Sequence, residues 1–288
     1  MTTRATTAAA AGFRRRAGLE VLTWPVFDPL AVDVMVTTRH GGVSGGGQGP
    51  YATLNLSLQT GDELADVLEN RRRVAAAIGA GPADFVYARQ VHGATARVVS
   101  AADRGRGTVT AGDAIPDADA LVTADPGVVL AVLVADCVPV VLYDPAARVL
   151  ACVHAGWRGT VARVASSALT VMRTLGARPA DVIAGIGPAI DPERYQVGED
   201  VAAAAEQAFG PMTGEVLRPD GTGKWLFDAW AGNHLTLREA GVPARNIHLA
   251  GVPTGPEPGQ FFSHRAQQPC GRFALVARLR RDGGVGPL

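Results

Sequence analysis

Cys137 and His154 are the residues of this chain best placed to do chemistry. They sit near the two ends of the stretch 128–160, VVLAVLVADCVPVVLYDPAARVLACVHAGWRGT. Two apolar runs flank a turn at Asp144-Pro145-Ala146-Ala147. If the runs pair antiparallel about Ala146, opposed residue numbers sum to about 292, which sets Cys137 or Val138 across from His154 at Cα separations of ~4.5–5.5 Å. Three readings fit that pair. One is a zinc site that needs at least one more protein ligand beside an open position. A second is a Cys–His hydrolase, in which His154 activates the thiol. The third is a buried thiol beside a hydrogen-bonded histidine. His92, in Gln90-Val91-His92-Gly93, is a further ligand candidate at a strand-to-loop junction. No local metal-binding spacing joins 92, 137 and 154. Cys152 shares the strand face of His154, but its neighbours Val149, Leu150 and Val153 suit a core thiol.

The elements that must position these groups can be read from periodicity. Val32–Thr37, Ala120–Thr123, Val128–Val134, Val138–Tyr143, Val149–Val153, Val182–Gly187, Ile247–Gly251 and Phe273–Leu279 read as strands. A capping box at Thr60 and Glu63 opens an amphipathic helix that Gly79 ends. Thr160–Leu175, Asp200–Phe209 and Asp228–Ala240 read as helices. Strands and helices mix without regular alternation, which predicts the α+β class. Residues 1–18 are basic, acid-free and of low complexity, and are expected to form a disordered tail. Residues 19–281 are read as one domain and 282–288 as a flexible Gly-rich tail.

Composition narrows the function. The 288 residues are 47% hydrophobic, enough for a real core, and 27 basic residues balance 27 acidic ones. Zero net charge argues against nucleic acid or an anionic membrane as partner. No apolar run reaches the ~18–20 residues of a membrane span. Three cysteines cannot make a disulfide framework and fit a reducing compartment, the cytoplasm. Six histidines leave room for one small metal site and make a multicopper cluster implausible.

Several motifs in order resemble the YfiH family, also named peptidoglycan editing factor or multicopper polyphenol oxidase (laccase-domain) proteins. They are Thr38-Arg39-His40-Gly41-Gly42-Val43-Ser44, Leu54-Asn55-Leu56, Asn70-Arg71, Gln90-Val91-His92-Gly93, Asp117-Ala118-Asp119-Ala120-Leu121-Val122-Thr123, Ala135-Asp136-Cys137-Val138-Pro139, His154-Ala155-Gly156-Trp157-Arg158-Gly159-Thr160, Gly185–Ile190 and Phe261-Phe262-Ser263-His264-Arg265. The resemblance implies a four-layer α/β/β/α sandwich with mixed sheets. It implies a zinc site at His92, Cys137 and His154, and phosphorolysis of adenosine, inosine and methylthioadenosine with adenosine deamination. Other members are linked to removing misincorporated serine from a peptidoglycan precursor, or are named laccases. The chain departs from the pattern at a longer Gly-rich loop, at Thr53, at His264 in place of a Tyr, at Asn233-His234, and at two absent cysteines, before Tyr195 and before Thr254.

Within that resemblance, zinc supplies a nucleophile at neutral pH, and the same ligands can take copper. Asp136 is the nearest acid/base candidate in sequence; its alternative is to hold the loop. Arg39, Arg158 and Arg265 offer forks for phosphate, with backbone N–H groups of Gly41–Gly49 as further donors. Ser44, Asn55 and Gln90 are candidates for ribose or base, or else turn and capping groups. Trp157 can stack on a purine. The leading reading is a purine nucleoside enzyme acting on small molecules as a monomer or weak homo-oligomer. The alternatives are a Cys137 amidase of a cell-wall precursor and, behind it, a copper polyphenol oxidase.

Overall fold

Two six-stranded mixed sheets face each other, and each carries helices on its outer side. The computed structural model describes residues 10–255 and 259–281. The first sheet contains β1 (Gly12–Arg16), β2 (Leu19–Thr23), β3 (Val32–Thr37), β4 (Phe85–Tyr87) and β7 (Val129–Val134). Its order is β1-β2-β3-(Phe273–Leu279)-β7-β4, antiparallel except for the β7–β4 pair. The second contains β5 (Ala96–Val98), β6 (Ala120–Thr123), β8 (Val138–Asp144), β9 (Val149–Ala155) and β10 (Ile183–Ile186). Its order is (Ile247–Leu249)-β10-β8-β9-β6-β5, with parallel pairs at both edges.

The continuous apolar runs follow from burial on both faces. In β7, Leu130, Val132 and Val134 point between the sheets. Val129 and Ala131 point outward to α1 (Leu64–Ala77). In β9, Leu150 and Cys152 point between the sheets, whereas Val149, Ala151 and Val153 meet the outer helices. Those helices are α2 (Trp157–Val161), α3 (Val164–Thr174), α4 (Glu199–Phe209) and α5 (Ala229–Glu239). This is the four-layer α+β sandwich that the motifs implied, in a single domain.

Four local expectations change. Gly12–Arg16, assigned from composition to a disordered tail, is an edge strand, with Arg14 paired to Asp28 at 2.8 Å. Charged residues suit an edge strand because they discourage pairing with other chains. Residues 1–9 and the tail 282–288 lie outside the described residues. The Thr60 capping box does not form: α1 begins after Glu63, and the Thr60 hydroxyl accepts from Asn55 Nδ2 at 2.9 Å instead. The helix expected over Thr160–Leu175 breaks at Arg163, whose φ of 61° is left-handed. Its guanidinium is drawn off to the Ala208 carbonyl and the Glu239 carboxylate. Finally, β8 and β9 pair with Pro139 opposite His154 and Val138 opposite Ala155, one residue away from the expected register.

Asn70, fully buried on α1, binds the loops around Ser44 and Asn55 together outside the site. Its Oδ1 accepts from Val43 N (2.8 Å), and its Nδ2 donates to Ser44 Oγ (2.8 Å) and to the carbonyls of Thr53 (3.1 Å) and Asn55 (2.9 Å). Asn70→Ala strands these buried groups at ~1–3 kcal/mol for each left unsatisfied. With roughly 3 kcal/mol lost in total, the melting temperature should fall by about 6–12 °C, read by calorimetry. An unchanged melting temperature would refute this role.

Candidate metal and substrate site

Three loops meet at one end of the sandwich. The first follows β4 and carries His92 in a left-handed conformation, φ 59°. The second, between β7 and β8, carries Asp136 (φ 81°) and Cys137. The third is the end of β9 with His154, followed by Gly156 at the N-cap of α2. The ligand atoms of His92, Cys137 and His154 all lie within 4.8 Å of one another. The two imidazoles stand nearly perpendicular, 81°, with ring centroids 4.8 Å apart.

A residue that the sequence reading did not single out holds this trio. Asp119 is fully buried. Its Oδ1 accepts from His154 Nδ1 (2.8 Å) and from His92 N (3.0 Å), and its Oδ2 from Gly93 N (2.7 Å) and Val91 N (3.3 Å). One carboxylate therefore folds the His92 loop into its left-handed turn and fixes the His154 tautomer. With Nδ1 facing Asp119, Nε2 is the ring nitrogen left to face a metal, the arrangement that metal-binding histidines use. The signal in the sequence was strand pairing. Ala120 pairs with Val153, so Asp119 lies at the position opposite His154.

Electrostatics prepares the thiol. Burial alone would raise Cys137, but the charge and hydrogen bonding of His154 and His92 outweigh it and bring it down to about 6. Burial alone would lower His154, but Cys137 and Asp119 together lift it to about 9. Cys152, enclosed in apolar core, is driven well above the ordinary thiol range by burial. The trio thus offers two imidazoles and a thiolate-prone sulfur. Three protein ligands beside an open cavity match a catalytic zinc site, and the same donors suit copper.

Gly156 makes the convergence possible. A Cβ there would lie 3.0 Å from Cys137 Sγ and 3.0 Å from His92 Cδ2. Both neighbours are candidate ligands and cannot retreat without leaving the site. Gly156→Ala should therefore weaken metal binding by about 10-fold or more, measured by competition with a chromophoric chelator. Unchanged affinity would show that the ligands do not need this approach.

The trio opens onto a cavity of about 640 Å³. Of the residues proposed from sequence, Gln90, Asp136, Arg158 and Arg265 line it. The Gln90 amide is engaged with Leu133, donating to its carbonyl and accepting from its N–H, both at 2.8 Å, and so continues the β4–β7 ladder. Both Asp136 oxygens are also engaged. Oδ1 accepts from Thr254 Oγ1, and Oδ2 accepts from Arg265 N at 2.7 Å. Asp136 therefore holds two loops together, the alternative that the sequence also offered for it. Arg39, Ser44 and Asn55 do not line the cavity. Arg39 donates to the Ala52 carbonyl and lies over Phe262, Ser44 meets Asn70, and Asn55 ties Ser57, Thr60, Asp62 and Arg272 together. Gly41–Gly49 contributes no lining residue either. The cavity adds Tyr195, His264 and Arg272, which the motifs did not bring forward as site residues.

The four-layer fold with this His-Cys-His site defines the class. The chain belongs to the family described as multi-copper polyphenol oxidoreductase laccase, whose model matches residues 33–280. It is similar to the purine nucleoside phosphorylase of Deinococcus radiodurans, 40% identical over 93% of this chain and 97% of that protein. It is also similar to purine nucleoside phosphorylase YlmD of Geobacillus stearothermophilus, 38% identical over 80% of this chain and 83% of that protein. The crystal structure of that YlmD superposes with a TM-score of 0.88 at 34% identity, covering 93% of this chain and 99% of the other. The hypothetical protein YfiH of Bacillus licheniformis superposes with a TM-score of 0.87 at 31% identity, with the same coverage. The family resemblance read from the motifs is thereby established.

Proposed function

We propose that this chain is a metal-dependent enzyme of purine nucleosides, which cleaves adenosine, inosine or methylthioadenosine with phosphate and deaminates adenosine in the same cavity. One observation carries the reading. The metal trio shares its cavity with two guanidiniums laid flat on aromatic rings, Arg158 over Trp157 at 4.3 Å and Arg265 over Tyr195 at 5.2 Å. Each ring holds its guanidinium by the face; Arg265 Nη1 also donates to the Gln196 carbonyl at 3.1 Å, which leaves its remaining N–H groups and the Arg158 fork for oxyanions. Arg158, Arg265 and Arg272 outnumber Asp136, the one carboxylate among the described residues of the cavity wall, so the wall favours an anionic co-substrate. The names of the relatives support the same reading.

His92, Cys137 and His154 would hold the metal, zinc in our reading. When bound, it supplies Lewis acidity and lowers the pKa of a coordinated water. Asp119 keeps the imidazoles aimed, and Arg158 and Arg265 bind and orient phosphate. Three unpaired cysteines suit a reducing compartment, and we place the enzyme in the cytoplasm. Among the described residues, no helix is long and apolar enough to cross a membrane.

The test is phosphate-dependent release of free base from the three nucleosides, with a parallel assay for ammonia from adenosine, before and after metal removal. No base release by the metal-loaded protein would overturn the phosphorolysis reading. A second reading has its own support, because Cys137, His154 and Asp119 also form the thiol–imidazole–carboxylate series of a Cys–His amidase. A chelator separates the two: it silences the metal enzyme and spares the thiol amidase. A copper polyphenol oxidase ranks behind both. Among the described residues, His92, Cys137 and His154 form the single cluster able to hold a metal, and that trio is short of the imidazoles a multicopper centre requires.

A further inference from the structure

Tyr195 stands in the cavity with its hydroxyl unused. The residue follows a short 3-10 turn, Pro192–Arg194, and its carbonyl accepts from Phe227 N at 3.0 Å. Its ring meets the Phe227 ring edge-on, 5.9 Å between centroids, and carries the Arg265 guanidinium on its face. Backbone and ring are thus both fixed. No described residue hydrogen-bonds the hydroxyl. The charges that act on the phenol, besides its burial, are those of Cys137, Arg265, Asp136 and Arg158, all cavity residues. Tyr195 thus shares the cavity wall with the residues whose charges act on it. Burial, the largest influence, raises the phenol and disfavours its ionised form, so a proton given up there must be returned within the same turnover.

Purine departure needs such a group. The electron pair of the C1′–N9 bond passes to the base, and a proton or hydrogen bond at N7 stabilises it. Most other polar groups of the cavity wall are poorly suited. Arginines do not release protons in proteins. Asp136 accepts two hydrogen bonds, Gln90 is paired with Leu133, and the Thr60 hydroxyl donates to the Ser57 carbonyl. His264 is solvent-exposed at the rim. The imidazoles of His92 and His154 belong to the metal trio.

We propose that Tyr195 is a catalytic residue of nucleoside cleavage, whose hydroxyl gives its proton to purine N7 as the C1′–N9 bond breaks. The inference rests on the phosphorolysis reading above. A phosphate oxygen forms the new bond to C1′, N9 leaves with the bonding pair, and the Tyr195 proton ends on the base. The phenolate then takes back a proton from the monoanionic sugar phosphate. No other reactant is needed.

The test compares inosine with 7-methylinosine, whose methylated N7 lets the base leave without a proton. With inosine, Tyr195→Phe should lose about 100-fold or more in kcat, with little change in KM. With 7-methylinosine, the same variant should stay within about 3-fold of the parent protein. The ratio of the two substrates is insensitive to any loss of folded protein, and metal content is measured alongside. Equal losses on both substrates would reduce Tyr195 to a packing residue and overturn the proposal. So would a selective loss on inosine in His264→Asn with Tyr195→Phe unaffected. If the parent protein cleaves neither substrate, phosphorolysis itself fails, which is a result distinct from either of these.

Discussion

Cys137→Ala and His154→Ala should each fold, lose stoichiometric metal and lose nucleoside turnover together. The Lewis-acid contribution of a bound metal is several kcal/mol, so the expected fall in kcat/KM is on the order of 10³-fold. Folding should survive for different reasons at the two sites. Cys137 is half-buried in a loop beside the open cavity, and its removal leaves the ring nitrogens of His154 and His92 that it met facing that cavity. His154 is nearly fully buried, and its loss leaves Asp119 still accepting three backbone N–H groups. The measurement is metal content by elemental analysis beside steady-state kinetics on one preparation. Cys152→Ala is the control. That thiol is buried between the sheets, far above its ordinary ionisation range, and points its Sγ at the Leu130 carbonyl at 3.9 Å. It should keep both metal and activity. Full phosphorolysis by metal-free Cys137→Ala would sink the metal-dependent reading.

How much of this was legible in the chain depended on how far each interaction reaches. Cys137 and His154 were visible because both lie at the ends of one hairpin. The register still slipped by a residue. Four residues separate β8 from β9, so the turn centres between Ala146 and Ala147, and Arg148 enters it left-handed at φ 52°. Extending the observed register puts Gly156, with no side chain, beside Cys137. That vacancy lets His92 reach in from a third loop, and no local pattern announces it. Arg39, Ser44 and Asn55, proposed from sequence for the substrate, lie outside the cavity lining for the opposite reason. They sit in conspicuous motifs, but Asn70 and Arg71 on α1 engage the segments of Ser44 and Asn55, and Arg39 is taken up by the Ala52 carbonyl and the Phe262 ring. Arg71 reaches the carbonyls of Leu56, Gly107 and Thr108 at 2.9, 2.6 and 2.8 Å. A motif built to satisfy buried backbone looks, in sequence, like one built to bind substrate.

Asp119 is the residue that long-range pairing hid, and its substitution tests the site most sharply. In Asp119→Asn one acceptor oxygen becomes an NH2 donor of nearly the same shape. If the NH2 faces Gly93 and Val91, donor meets donor and two N–H groups lose their acceptor. If it faces His154, Nδ1 must accept, the ring proton moves to Nε2, and the lone pair needed for metal is gone. Neither orientation satisfies both sides. Each buried unsatisfied group costs ~1–3 kcal/mol, and loss of such an orienting partner weakens metal affinity by roughly 10–100-fold. Asp119→Asn should therefore bind zinc more weakly by that factor. At limiting zinc it should lose activity in proportion, and excess zinc should restore part of it. Burial raises the Asp119 carboxyl, but hydrogen bonding and charge from His154 and the backbone N–H groups outweigh this and hold it below its ordinary value. The native group is thus a carboxylate throughout the neutral range, and the asparagine differs from it in charge as well as in donor pattern. Asp119→Glu separates these effects. It keeps the charge and lengthens the arm, so a similar loss in that variant would assign the effect to geometry. A wild-type zinc affinity in Asp119→Asn would show that the trio is held by the loops alone.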